Sequence, residues 1–268
     1  MQPGAKAAPP ESRMNRHAIW RTLYQQAAEQ AHDEPLLARH LQTSVLEHDD
    51  IRTAFGCHFA AKLASRSLPS TALTELAVTC ALDDPSIVEH MSCDLLAAFE
   101  RDPAGHDLVN VFLNQKGFQA LQAYRLAHYL WRSGRNGLAL HLQGRVAEVY
   151  GLDIHPAARI AGGVFVDHGT GVVIGETAEV GHDVTIFQDV TLGGTGKQRG
   201  DRHPKIERGV LLCAGAKVLG NVRIGAHAKI GAGSIVLSDV PPGATAVGVP
   251  ALIVNARRMC VELSQGAA

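Results

Sequence analysis

Two stretches in the second half of the chain concentrate side chains that handle protons and charge. The first, Val166-Asp167-His168-Gly169-Thr170-Gly171, sets an imidazole beside a carboxylate. Histidine titrates near neutral pH without any perturbation, so such a pair can exchange a proton with a bound molecule. The second runs Gly193-Gly194-Thr195-Gly196-Lys197-Gln198-Arg199-Gly200-Asp201-Arg202-His203-Pro204-Lys205. Its glycines let backbone approach a ligand closely, and its Lys and Arg suit a phosphate-bearing one. An exposed connection with no ligand has the same composition, and both readings stand on these residues alone.

Both stretches interrupt a repeat. An aliphatic residue recurs every six positions at Ile154, Ile160, Val166 and Val172, then, displaced by two, at Ile174, Val180, Ile186 and Leu192. The series resumes at Ile206, Leu212, Val218, Ile224, Ile230 and Val236. Four places later the residue is small or Val, at Ala158, Val164, Thr170, Ala178, Val184, Val190, Val210, Ala216, Val222, Ala228, Ser234 and Val240. Glycine follows the aliphatic at Gly175, Gly181, Gly193, Gly225 and Gly231. A fixed period of this kind is the signature of a solenoid. The spacing predicts a parallel β-helix in which each unit gives one short strand and one turn, and three units close a triangular coil. The aliphatics then stack inward at the strand spacing of about 4.8 Å. About five coils fit, the glycines serve corners with tight backbone angles, and the polar loop from Gly193 to Lys205 is ejected from a coil. A chance run of short sandwich strands would not hold this register through two kinds of position.

The elements before the array are of another kind. Of 27 glycines, 19 lie between Gly151 and Pro250, whereas 11 of 13 aromatics lie at or before Tyr150. That split argues for two unlike pieces. From residue 15 to 150 the pattern is helix, break, helix, with breaks at Asp33-Glu34-Pro35, Leu68-Pro69-Ser70, Asp83-Asp84-Pro85 and Asp102-Pro103, and six to eight helices are expected. Phe118, Leu121, Tyr124, His128 and Trp131 form one helical stripe, so His128 reads as a packed residue rather than a ligand. We expect a disordered leader over 1–14, a helical domain over 15–150, a β-helix over 151–250, and a C-terminal cap and tail over 251–268. The open ends of the prism need covers, the helices at the first coil and the segment after Pro250 at the last.

Bulk numbers exclude some functions. A formal net charge of −1 gives no basic surplus for nucleic acid. No apolar run is long enough to span a membrane. The five cysteines (Cys57, Cys80, Cys93, Cys213, Cys260) form no C-x-x-C pair, so reduced thiols in a cytoplasmic protein are expected.

Several strings carry a resemblance. Arg101-Asp102-Pro103-Ala104, Lys116-Gly117-Phe118, Ala120-Leu121-Gln122-Ala123-Tyr124-Arg125, Asp153-Ile154-His155-Pro156-Ala157-Ala158, Asp167-His168, Thr191-Leu192-Gly193-Gly194-Thr195-Gly196-Lys197 and Asp201-Arg202-His203-Pro204-Lys205-Ile206 resemble serine O-acetyltransferases over about Ile19 to Val254. These are acyltransferases with a left-handed β-helix. The resemblance implies an α+β chain that moves acetyl from acetyl-CoA to the serine hydroxyl, the first step from serine to cysteine. A serine hydroxyl needs a base to take its proton, and His168 is the candidate, with Asp153 as the implied carboxylate partner. The resemblance further assigns Asp102 and Asp167 to the serine ammonium, Arg202 to its carboxylate, and His203 to the serine site. It assigns Gly194, Thr195, Ala214 and Lys229 to acetyl-CoA. Backbone N–H groups near Gly193-Gly194 are candidates for steadying the oxyanion. His155 matches the strings without an assigned role.

No permanent cofactor and no metal are expected. The partners implied are L-serine, acetyl-CoA, L-cysteine as feedback inhibitor, and further copies of the chain as a trimer or dimer of trimers, with the site shared between chains. Many family members end in an isoleucine that engages O-acetylserine sulfhydrylase; this chain ends Gln265-Gly266-Ala267-Ala268, which weakens that expectation. Two rivals stand beside it. One is an acetyltransferase for a sugar or antibiotic, which would lack so large a helical half. The other is a zinc prism of the γ-carbonic anhydrase type. Its H-x4-H pair is missing from His155, His168, His182, His203 and His227.

Overall fold

The computed structural model describes residues 16–104, 107–197 and 199–254. The expected leader, Cys260 and most of the expected C-terminal tail fall outside these residues. Among the described residues eight α-helices precede fifteen short strands.

Helix boundaries follow local chemistry. Glu34 caps α2 (Pro35–Leu41) by accepting from the Leu36 N–H, with proline at the first helical position. Asp50 caps α3 (Ile51–Leu63) through the N–H groups of Arg52 and Thr53. The break at Asp102-Pro103 differs from the expectation of a helix start. Asp102 ends α5 (Ser86–Arg101), and the next helix, α6 (Leu108–Asn114), begins at a cap on Asp107. In the stripe of α7 (Lys116–Arg132), Phe118, Leu121 and Tyr124 are buried, and the half-buried His128 bonds the Pro156 carbonyl through Nδ1.

The array forms a three-sided left-handed prism. Face A stacks β1 (Asp153–Ile154), β4 (Val173–Ile174), β7 (Thr191–Gly193), β10 (Lys217–Leu219) and β13 (Ile235–Val236) in parallel. Face B stacks β2 (Arg159–Ile160), β5 (Glu179–Val180), β8 (Lys205–Ile206) and β11 (Arg223–Ile224). Face C stacks β3 (Phe165–Val166), β6 (Thr185–Ile186), β9 (Leu211–Leu212), β12 (Lys229–Ile230) and β14 (Thr245–Val247). The last edge of face C is covered by β15 (Leu252–Ile253), which runs antiparallel to β14.

Register carries the repeat directly. Ile154, Ile174, Leu192, Val218 and Val236 pair up one column, and Ile160, Val180, Ile206 and Ile224 another. Val166, Ile186, Leu212 and Ile230 form the third. Val172 is the exception. It is buried, but it stands two places before Ile174, in the slot that Val190 takes before Leu192. Thr170, expected inside, is exposed. The two extra residues are absorbed in the corner that carries His168.

The role expected of the glycines also needs correction. Those after the inward aliphatic do not have left-handed backbones. They are small because the next coil passes close: a Cβ on Gly175 would stand 2.1 Å from His203 Nε2. Left-handed angles fall at other corner positions, among them Gly209, Gly215 and Gly233.

The helical half closes the first coil. Strand edges there would leave carbonyls bare, and bare edges invite association. Tyr124 on α7 donates to the Ala158 carbonyl at 2.5 Å, and Arg125 donates to those of Ile160 and Ala161. Arg101 reaches Gly163 and Asp183 from the end of α5. On the α7 backbone, Gly117 has no room for a side chain, since a Cβ there would meet the Val166 carbonyl at 2.1 Å.

Candidate active site

Most of the expected site residues gather at two edges of one prism, on either side of face A, while Asp153 stands on β1 of face A and Lys229 on β12 of face C. Asp167 and His168 lie in the corner between faces C and A. The two inserted residues make that corner bulge, and His168 takes a left-handed backbone angle (φ 56°) there. Such angles are uncommon outside glycine, and in this prism they recur at other corners, at Asp183, Asp189 and His227. The His168 side chain is 72% exposed, and its Nε2 lies 3.9 Å from an Asp167 oxygen.

Asp102 reaches the same corner from the end of α5. Its carboxylate accepts from the Ala104 N–H and from Gln115 Nε2, each at 2.8 Å. Burial raises the pKa of Asp167, with the Asp102 charge adding to the rise and His168 opposing it. Two carboxylates and an imidazole from distant parts of the chain therefore share one field. Lys116 bonds Thr170 and ties the start of α7 to the corner.

Asp153 sits one coil below. The Gly171 N–H bonds the Gly151 carbonyl at 2.8 Å, and the Asp153 N–H bonds Val172 at 2.9 Å, so the His168 corner rests on the segment that carries Asp153. The hydrogen bond made by the Asp153 carboxylate goes to Gln143 Nε2 on α8 (Asn136–Tyr150), 2.6 Å away, and not to His168.

The second edge lies between faces A and B, where His155, then Glu176 and Thr177, then Arg202 and His203 occupy successive coils. Arg202 pairs with Glu176 at 2.8 Å. His203 is buried, and its Nδ1 meets the Thr177 N–H at 3.1 Å and hydroxyl at 2.8 Å. Burial, with Arg202 nearby, lowers the His203 pKa below that of a free imidazole. Burial likewise lowers that of His155, against whose ring Trp131 packs edge-on at 5.2 Å.

The residues expected to hold acetyl-CoA divide in the same way. Gly194 and Thr195 open the ejected loop at the A–B edge, where Gly194 packs beside Arg202. Ala214 lies in a C–A corner, and Lys229 faces outward and exposed on β12 of face C. A single chain thus presents Asp102, Asp167, His168 and Ala214 at one edge and Arg202, His203, Gly194 and Thr195 at the other.

Sequence reasoning missed Gln115, Gln143, Glu176 and Thr177. Glu176 and Thr177 occupy a corner of an unbroken coil, so no irregularity marks them. Among the described residues no three His, Cys, Asp or Glu side chains converge as metal ligands, and no helix is long and apolar enough to cross a membrane.

A left-handed prism with its helical cover, and acid–base residues at its edges, defines a hexapeptide-repeat acyltransferase. Residues 19–123 match the serine acetyltransferase N-terminal family, and residues 203–238 match the bacterial transferase hexapeptide family. The chain is 46% identical over 237 residues to a serine acetyltransferase of Haemophilus influenzae, covering 88% of this chain and 89% of that one. It is 52% identical over 250 residues to a probable serine acetyltransferase of Oryza sativa, covering 93% and 82%. A solved serine acetyltransferase in complex with cysteine superposes with a TM-score of 0.89 at 46% identity, covering 90% of this chain and all of that one. A soybean serine acetyltransferase complexed with serine gives 0.88 at 50% identity, covering 92% of this chain and all of that one. The chain belongs to the serine acetyltransferase family.

Proposed function

We propose that the chain transfers the acetyl group of acetyl-CoA to the hydroxyl of L-serine, giving O-acetyl-L-serine and CoA. The observation that carries this reading is the meeting of Asp102 with Asp167 and His168 at one prism edge, in a chain of this family. Relatives have been solved in complex with serine, CoA and cysteine, ligands that suit the same groups.

His168 takes the serine hydroxyl proton as the oxygen attacks the thioester carbonyl, then returns it to the departing CoA thiolate. Its exposed ring can turn toward a substrate. Asp153 supports the imidazolium electrostatically from the coil below. Asp102 and Asp167 receive the ammonium and Arg202 the carboxylate, with His203 beside it in the serine site. Gly194, Thr195, Ala214 and Lys229 hold acetyl-CoA. Because these groups lie on opposite sides of face A, a complete site forms where the C–A edge of one copy meets the A–B edge of another. We accordingly propose a trimer or dimer of trimers, acting in the cytoplasm. Cysteine, which shares serine's ammonium and carboxylate, competes for Asp102, Asp167 and Arg202. Within this reading the chain is divided as 15–150 for assembly and part of the serine site and 151–250 for acetyl transfer.

The test is a CoA-release assay with acetyl-CoA and an acceptor panel of serine, a galactoside and an amino sugar, with and without cysteine. Release with serine alone, suppressed by cysteine, is expected. Release with a sugar and not with serine would overturn the reading.

A further inference from the structure

Thr177 lies in a corner of an unbroken coil, where the repeat asks only for a turn. Its hydroxyl is nonetheless fully engaged. The oxygen accepts the N–H of Arg202 at 3.0 Å and the N–H of His203 at 3.1 Å. That occupies both lone pairs of a hydroxyl. Its one proton faces His203 Nδ1, which lies 2.8 Å away. The Thr177 N–H points at the same nitrogen from 3.1 Å. One residue therefore makes four hydrogen bonds to Arg202 and His203, and its carbonyl accepts a fifth from Lys205 Nζ at 2.6 Å.

These bonds determine which imidazole nitrogen carries a proton. A backbone N–H is an obligatory donor, so its contact alone makes Nδ1 an acceptor, and the hydroxyl at 2.8 Å adds a second donor to the same nitrogen. Nδ1 must hold its lone pair, and the proton of the neutral ring must sit on Nε2. On its far side the ring is seated against Gly175, where a Cβ would come within 2.1 Å of Nε2, so the missing side chain leaves it room. Burial and the neighbouring Arg202 disfavour the doubly protonated ring, which agrees with this arrangement. His203 is thereby set as a hydrogen-bond donor through Nε2 and is not available as a base.

We infer that Thr177 is a positioning residue for the serine site, seating the end of the ejected loop and fixing His203 in the Nε2–H tautomer so that it donates to substrate. The inference rests on the serine-acetylating reading for its substrate, but the tautomer itself does not depend on that reading.

The test uses the full chain in its native assembly, with Thr177→Val, which keeps the shape and removes the hydroxyl, and Thr177→Ser, which keeps the hydroxyl. With ¹⁵N-histidine labelling, the wild type should show His203 Nε2 as protonated and Nδ1 as lone-pair nitrogen. Thr177→Val keeps the backbone N–H but removes the second donor to Nδ1 and the acceptor that seats Arg202 and His203, so both signals should move from their wild-type positions, and Thr177→Ser should restore them. In kinetics, Thr177→Val should raise the serine KM at least about fivefold with the acetyl-CoA KM within about twofold. The acid limb of its kcat/KM for serine should also move toward neutrality, as the ring takes a proton more readily once a donor to Nδ1 is gone. Unchanged His203 signals in Thr177→Val, or a wild-type spectrum with the proton on Nδ1, overturns the inference. An expected spectrum together with no serine-dependent CoA release in the wild type overturns the substrate reading instead.

Discussion

Asp94 on α5 and Arg125 on α7 form an ion pair with a 2.7 Å contact, both side chains almost wholly buried where the helices meet the prism. The pair is one part of a larger junction. Asp94 also accepts from Gln122 and from the Val164 N–H in the first coil, and Arg125 also donates to the carbonyls of Ile160 and Ala161. Burial pushes the Asp94 carboxyl upward, while Arg125, Gln122 and the Val164 N–H favour its charged form. Removing one partner strands the other. Asp94→Ala is expected to lower unfolding stability by about 3–5 kcal/mol, as for other broken buried pairs. Urea unfolding measures it; a loss under about 1 kcal/mol would show that the junction does not hold the halves together.

Acid should weaken the helical half through His58. The ring is buried in α3 against Gln119, and burial, with Lys62 and His40 adding, pushes its pKa down to about 4. The unfolded chain takes this proton near pH 6.5, and the folded chain refuses it until about 4. Stability from this group is therefore complete above about pH 6.5 and is lost as pH falls toward 4, by roughly 3 kcal/mol in all. His90, also pushed to about 4, acts in the same direction. Urea unfolding from pH 7 to 4.5 should show a shallower decline in His58→Gln than in the wild type. Parallel declines would rule His58 out as the source.

Gly175 and His203 test the A–B edge. Since a Cβ on Gly175 would overlap the His203 ring, Gly175→Ala must displace it. A displacement of about 1 Å in a positioned group can cost up to ~10²-fold, so kcat/KM for serine should fall about 10–100-fold. Gly137, on the surface of α8 with nothing within 4 Å of its would-be Cβ, supplies the control. Gly137→Ala should leave kinetics unchanged and stabilise the helix by about 0.5–1 kcal/mol. Equal kinetics in both variants would mean that the position of His203 does not matter.

Much of this architecture could be read from spacing. A six-residue period has a direct physical meaning, one residue per coil stacking on the next, and thirteen of the fourteen inward aliphatics stand where the period puts them. Val172 misled because a two-residue insertion leaves two registers that both place an aliphatic residue inside. The helix starts at Ile51 and Lys116 went unseen because neither carries the proline that marked the other breaks. The division of the site was hidden for a deeper reason. A full coil of separation stacks two residues directly, whereas a separation short of it places them at different points around the prism and does not say whether their side chains meet. Asp153 and His168 illustrate this. Their separation of 15 positions allowed contact, yet Asp153 bonds Gln143, a helical residue that no count could have matched to it.

His168 is the residue on which turnover should depend most. It is exposed at its corner, so His168→Ala leaves no cavity in the core and should fold normally. Loss of a positioned general base is expected to lower kcat by about 10²–10⁴. Acetyl-CoA affinity should stay within about twofold, because the groups proposed to hold it, Gly194, Thr195, Ala214 and Lys229, are untouched. Steady-state kinetics and direct CoA titration separate the two effects, and near-wild-type turnover would remove His168 from the mechanism.

The two edges lead to a sharper test of assembly. If each site takes His168 from one copy and Arg202 from its neighbour, His168→Ala and Arg202→Ala chains are each inactive alone. Mixed in equal amounts and allowed to exchange subunits, they form some interfaces that unite an intact His168 edge with an intact Arg202 edge. Random assembly around a closed ring gives this at about one interface in four. The mixture should therefore regain roughly a quarter of wild-type activity, with exchange verified by mass-tagged chains. Activity that stays at the level of the parents after full exchange would mean that both edges serve one site within a single copy. The width of face A would then have to be bridged by a movement of the ejected loop.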